Sequence, residues 1–270
     1  MLVVTSLMWL TALLYAVASG LYLLFLAKGS ASGATWAARV LAVAVLAQIG
    51  FMGTGWALAG HLPTSDIHQA LAVMSLVVVL VFLITARSRE RLRVLGAFIT
   101  PVTLLLFLGA ALRRDSVQAV PEGVRSALLP VHVGVNVLGL AAFAFAFAAG
   151  LAYVLQERQL RQKKLGGLFQ RLPALDVLDR IGLRSVLVGF PLLTVGVVTG
   201  TMWIVQGSLG LSATQGFGLL AWLLFAGVLL LRVAAGWRGR KAAIGTMLGF
   251  LCTVAVLVGY VLRDSFGGGA

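Results

Sequence analysis

Long apolar stretches separated by short, mostly basic segments are the dominant pattern along this chain. Eight of these stretches are close to 20 residues long or longer, which is the length an α-helix needs to cross about 30 Å of hydrocarbon. We predict membrane spans at about 4–27, 37–60, 67–86, 94–112, 128–155, 183–206, 215–235 and 242–262. The pattern predicts an all-α, polytopic integral membrane protein with a single transmembrane domain over residues 1–270.

The composition also indicates that the outer surface of the protein is in contact with lipid. Of the 270 residues, 60% are hydrophobic and 11% are charged, whereas soluble domains carry roughly 25% charged residues. The only cysteine, Cys252, lies in an apolar run. It excludes an intramolecular disulfide and a Cys-x-x-Cys redox pair, and we interpret it as a packing residue.

Basic residues alternate from loop to loop and thereby orient the helices. Of the 21 lysines and arginines, 17 fall in or beside the odd-numbered loops, and the other 4 are Arg113, Arg114, Arg125 and Arg263. The positive-inside rule then places the odd loops in the cytoplasm and both termini outside. The net charge of +13 is explained by this topology and by contact with anionic lipid, so nucleic acid is not an expected partner.

The fifth loop, about 156–182, is the one sizeable cytoplasmic segment. Its first part, QERQLRQKKL, is predicted to extend the fifth helix as far as the glycines at 166 and 167. The following LPALDVLDRIGL has apolar residues at helical spacing. This spacing favours a helix on the membrane surface, with a basic stop-transfer linker as the alternative.

Acidic residues all lie in loops or at membrane edges. A proton-coupled or ion-coupled transporter needs a carboxylate near the bilayer midplane, so this distribution argues against one. A four-helix b-type cytochrome would hold haem between histidine pairs inside its spans, and no histidines are spaced in that way.

The three histidines all fall at the predicted outer face. His61 ends the second span, His68 opens the third and His132 opens the fifth. Imidazole is a good ligand for haem iron, and a site at the bilayer edge suits an apolar porphyrin with its propionates toward water. Ordinary interfacial histidines are the alternative interpretation. Asn136, one turn after His132, is placed to orient the ring or a propionate, or to bond a neighbouring helix.

The second half of the chain resembles a known family. Three segments show the resemblance: PVHVGVNVLGLAAFAFAFAAGLAYVLQERQLRQKK, LPALDVLDRIGLRSVLVGFPLLTVGVVTGTMW and GWRGRKAAIGTMLGFLCTVAVLVGY. They resemble the cytochrome c assembly family, the CcsA/CcmC superfamily, and most nearly its smaller HemX and YpjD-type members. The likeness covers about 128–262, and its most specific parts are GFPLLTVGVVTGTMW and the cytoplasmic GWRGR at 236–240.

This resemblance implies a haem-handling protein of the bacterial inner membrane, with haem b as the cofactor. It matches His132 to the family's external histidine and implies that His132 ligates the iron, with His68 or His61 as the second ligand. The implied partners are membrane lipid, haem, and other cytochrome c maturation or haem-synthesis proteins.

Departures from the family pattern refine the expected role. Haem-presenting members carry a WGxxWxWD signature between the sixth and seventh spans, where this chain reads QGSLGLSATQG. A family histidine in the next-to-last span falls on Leu230. We therefore expect an accessory in cytochrome c biogenesis or haem homeostasis, without catalysis by its own side chains. A transporter of an apolar or small solute and a membrane scaffold are the alternatives.

Overall fold

A computed structural model describes residues 2–59, 67–111, 128–164, 166–206 and 213–266. A 3₁₀ segment, Glu90–Leu95, leads directly into α4. Within these residues the helices are α1 (Leu2–Lys28), α2 (Ala31–Ala59), α3 (Ile67–Ser88), α4 (Gly96–Ala111), α5 (Leu128–Arg161), α6 (Leu168–Arg171), α7 (Leu175–Val205), α8 (Ala213–Ala234) and α9 (Arg240–Phe266).

Eight of the helices in the described part of the chain are long and apolar enough to cross a membrane. This confirms the predicted all-α polytopic fold. Large apolar side chains face outward along these helices, for example Leu13 on α1 and Leu223 on α8, both more than half exposed. Such surfaces are stable only in contact with lipid or another apolar surface.

Helix α5 lies at the centre of the bundle and packs against α3, α4, α7 and α9. Its interior positions are mostly small, and Ala144, Ala148, Gly150 and Ala152 are buried. Small residues let the backbones of neighbouring helices approach closely, which is how membrane helices pack without a hydrophobic driving force between them. The alanine-rich sequence of α5 therefore suits a helix surrounded by others.

A buried polar network connects the first three helices. The Tyr15 hydroxyl donates to Oε1 of Gln48, and Nε2 of Gln48 donates to the Ala72 carbonyl at 2.8 Å and to Oγ of Ser75 at 2.7 Å. The side chains of Tyr15, Gln48 and Ser75 are completely buried. Because their polar atoms satisfy one another, α1, α2 and α3 are held together by hydrogen bonds inside the bilayer.

The segment between the fifth and sixth spans differs from the sequence-based expectation. Helix α5 continues through Arg161, in agreement with the predicted extension. Helix α7, however, begins at Leu175 and runs unbroken to Val205, so LDVLDRIGL is the first part of that span. It is neither a separate surface helix nor a linker. Leu178 is buried against the bundle, so the helical spacing of this segment reflects packing onto neighbouring helices.

Candidate functional site

His132 lies in the second turn of α5, where the start of this helix meets the end of α7. The imidazole is partly exposed. Two α7 side chains contact it: Thr199 through a hydrogen bond and Trp203 through its ring. These residues come together because α5 and α7 pack along much of their lengths in opposite directions.

Thr199 is the hydrogen-bond partner of Nδ1 of His132. The Thr199 hydroxyl donates to the Val195 carbonyl of its own helix at 2.8 Å, so it is available to His132 as an acceptor. Nδ1 of His132 lies 2.8 Å from this oxygen and donates to it in the tautomer that carries the proton on Nδ1. The neutral ring then keeps the lone pair on Nε2. An imidazole held through Nδ1–H, with Nε2 unprotonated, is the usual arrangement of a metal-ligating histidine.

Asn136 bonds the backbone of its own helix. Its Nδ2 donates to the His132 carbonyl at 2.7 Å, and its Oδ1 lies against α7, where a Cβ on Gly196 would come within 2.6 Å. Glycine at 196 is therefore what lets the two helices approach at this level. The residue that orients the imidazole ring is Thr199, while Asn136 fits between α5 and α7 beneath it.

Trp203 lies near the end of α7, where tryptophans usually face the membrane interface, but here its side chain is buried in the bundle. It is 3% exposed, and its ring meets His132 edge-on with centroids 5.0 Å apart at 61°. Its buried Nε1 has no hydrogen-bond partner within the described residues. The signal that sequence reasoning missed is the helical spacing of Gly196, Thr199 and Trp203, which puts them on one face of α7.

Of the other two predicted histidines, the structure describes one. His68 is buried, and its Nδ1 donates to the Gly109 carbonyl of α4 at 2.9 Å. His61 lies outside the described residues. His68 is thus held between α3 and α4, and His132 between α5 and α7. Throughout the described ranges, no group of three or more histidine, cysteine, aspartate or glutamate residues is placed to bind a bare metal ion.

A second polar cluster lies at the opposite end of the bundle, where GWRGR connects α8 to α9. Asp179 of α7 accepts from Arg232 and, at 3.0 Å, from the Gly239 amide. Gly239 has φ +65°, and a Cβ there would lie 2.5 Å from the Tyr153 hydroxyl oxygen. A glycine is required on both counts. Because the Asp179 oxygens are paired inside the protein, this cluster is a structural clamp.

Comparison with known proteins identifies the family. The profile of the cytochrome C assembly protein family matches residues 64–263, a range that contains His68, His132, Asn136, Thr199 and Trp203. The chain is 28% identical over 232 residues to the cytochrome c biogenesis protein CcsA of Parasynechococcus marenigrum, covering 76% of each chain. It is also 28% identical, over an alignment of 281 residues, to CcsA of Microcystis aeruginosa, covering 85% of this chain and 84% of the relative.

A solved structure has a similar fold. The chain superimposes on cytochrome c heme lyase CcmF with a TM-score of 0.66 and 15% identity. The match covers 98% of this chain and 49% of that one, so the chain spans about half the length of the solved protein.

Proposed function

The chain belongs to the cytochrome C assembly protein family, and from this membership we propose that it binds haem at the outer membrane face as an accessory in cytochrome c biogenesis. Its eight apolar helices make it a multi-pass membrane protein, and the family assigns it to cytochrome c biogenesis. We place it in the bacterial inner membrane, with both termini and the His132 end of the bundle outside, on the strength of the charge alternation.

The observation that carries this proposal is the 2.8 Å hydrogen bond between Nδ1 of His132 and Oγ1 of Thr199. Haem b supplies an iron that takes a neutral imidazole nitrogen as an axial ligand. Thr199 holds Nδ1–H of His132, so Nε2 has the lone pair that such a bond requires. The residues present therefore fit the group: His132 would hold the iron, Thr199 would hold the Nδ1 side of its ring, and Asn136 would secure the helix contact beneath it.

A second axial ligand comes from His68 or His61 in this proposal. His68 also donates Nδ1–H to a carbonyl, that of Gly109. This is the same supporting bond that orients ligating histidines in metal sites.

An accessory role is supported by the loop between α7 and α8. It reads QGSLGLSATQG and lacks the tryptophan-rich signature of haem-presenting members. We propose that the chain, like HemX-type members, contributes binding and orientation of haem and no acid–base or nucleophilic chemistry. Its partners are then membrane lipid, haem, and other proteins of cytochrome c maturation or haem synthesis.

The proposal is tested by purifying the protein from cells supplied with ample haem and recording its absorption spectrum. We expect a Soret band that shifts or is lost in His132→Ala and that returns when imidazole is added to the variant. Imidazole rescue distinguishes a lost ligand from a lost fold. A colourless wild-type protein at full haem supply would contradict the proposal and favour a transporter of an apolar solute or a scaffold.

A further inference from the structure

The indole N–H of Trp203 is a buried donor that the described protein does not satisfy. A hydrogen-bonding group that is removed from water without a partner destabilises the fold, and nearly all such groups in folded proteins are paired. The donor is adjacent to the proposed iron ligand, because the Trp203 ring meets the His132 ring edge-on at 5.0 Å. A molecule bound to His132 would be placed to supply the acceptor for this N–H.

Trp222 provides the contrast within the same bundle. Its Nε1 donates to Oγ1 of Thr194 on α7 at 3.0 Å, so this indole is satisfied by the protein itself. Thr194 and Trp203 lie on the same helix, and the neighbourhood of Trp203 also contains a threonine, Thr199. The Thr199 hydroxyl, however, is already engaged with Val195 and His132. The Thr199 hydroxyl is therefore not an acceptor for the indole N–H of Trp203, which has no partner among the described residues.

We propose that Trp203 is a positioning residue that donates its indole N–H to a carboxylate of the haem ligated by His132. This inference rests on the proposed function, and it adds a preference for haem with free carboxylates over haem esters. A carboxylate is the strongest acceptor that haem offers, because hydrogen bonds to ionised groups are shorter and stronger than neutral ones. An ester carbonyl is a neutral and weaker acceptor than a carboxylate, so the indole N–H favours a free haem propionate over an ester, and the contact restricts the rotation of the porphyrin about the bond to His132.

The test compares two ligands and two tryptophans. Haem and haem dimethyl ester are titrated into the detergent-solubilised wild type, Trp203→Phe and the matched control Trp222→Phe, with the Soret band as the signal. We expect the wild type and Trp222→Phe to bind haem about tenfold or more tightly than the ester, since a bond to a charged acceptor is lost in the ester. Trp203→Phe is expected to lose most of this preference while keeping the Soret position set by His132.

The outcomes separate this inference from the proposed function. An equal preference for haem in the wild type and Trp203→Phe would overturn the carboxylate contact alone. A wild type that leaves the Soret band of both ligands as it is in detergent alone would overturn both proposals.

A second measurement needs no variant. The resonance Raman band that reports indole N–H hydrogen bonding should shift when haem is added to the wild type, and should remain in place with the dimethyl ester. The same shift with both ligands would also contradict the contact.

Discussion

Thr199 has the clearest role of any single residue at the candidate site, because its hydroxyl is both a donor to its own helix and the acceptor for His132. The first bond orients the oxygen, and the second favours the tautomer of His132 that carries the proton on Nδ1. Supporting residues of this kind tune a metal ligand without touching the metal, and they are nearly as important as the ligand itself.

Replacing Thr199 by valine preserves the shape of the side chain and removes the acceptor. Nδ1–H of His132 then has no partner, and the ring is free to adopt the other tautomer. We expect the Kd for haem to increase by about 10–100-fold, the usual cost of losing such a supporting residue. Thr199→Ser keeps a hydroxyl and is the matched control. A haem titration that gives the same Kd for the two variants would refute this role.

At the scale of elements, the contact between GWRGR and α7 explains why this short motif is so specific. Gly239 turns with positive φ beneath the Tyr153 hydroxyl. Its amide and the Arg232 guanidinium both donate to Asp179. The side chains of Arg232 and Asp179 are 12% and 18% exposed, so each depends on the other for its charge to be compensated. One carboxylate thus connects α7, α8 and the start of α9.

Removing that carboxylate should loosen this end of the bundle. Asp179→Ala leaves Arg232 largely buried and uncompensated, and we expect a loss of about 2–3 kcal/mol of unfolding free energy, somewhat less than for a fully buried pair. Asp176 and Arg180 form the matched control on the same helix, since their side chains are 67% and 63% exposed. Asp176→Ala should change stability by at most about 0.5 kcal/mol.

The unfolding free energies of Asp179→Ala and Asp176→Ala are measured by denaturant titration in detergent. The double variant Asp179→Ala with Arg232→Met removes the unpaired charge as well, so it should recover most of the lost stability. If Asp179→Ala proves as mild as Asp176→Ala, the clamp does not hold the helices together.

For the whole molecule, the orientation in the membrane decides on which side the His132 site lies. Of the 21 basic residues, 17 belong to the odd-numbered loops, and retention of lysine and arginine on the cytoplasmic side is the dominant determinant of orientation. We therefore expect the candidate haem site at the α5 start and α7 end to face outward and the Asp179 clamp to face the cytoplasm.

This orientation is measured with an impermeant thiol reagent on intact spheroplasts. Cys252, the only cysteine, is first replaced by alanine, and single cysteines are then introduced. We expect Ser116→Cys and Ser208→Cys to react from outside, because they lie in even-numbered loops, which together with the C-terminal end carry only 4 of the 21 basic residues. Lys163→Cys and Arg238→Cys should react only after the membrane is opened. The reverse pattern would put the candidate site in the cytoplasm and contradict the proposed function.

Also at this scale, the matched family region begins at residue 64, so α1 and α2 precede it. They are nevertheless part of the same bundle. Gln48 of α2 is bonded to Tyr15 of α1 and to Ser75 of α3. In addition, the Arg171 guanidinium donates to the Leu26 carbonyl at 2.8 Å, where it satisfies the C-terminal end of α1. Hydrogen bonds near both the middle and the end of α1 therefore join the two halves of the chain.

The sequence by itself determined the eight apolar helices and the fold class. Crossing hydrocarbon requires a helix of set length and apolar composition, and both are local properties that can be read from a window of residues. It also identified His132 as the principal candidate, because an ionisable residue at a span boundary is conspicuous in an apolar chain.

Only the tertiary structure decided what surrounds that histidine. Thr199 lies 67 positions from His132 in the sequence, and Trp203 has the appearance of an ordinary interfacial residue. Their contact with His132 depends on α5 and α7 packing together at the level of Gly196. In a membrane, apolar side chains face lipid and neighbouring helices alike, so hydropathy does not indicate which helices pair. The same physics that makes the spans easy to recognise leaves their partners to be settled by packing and hydrogen bonds.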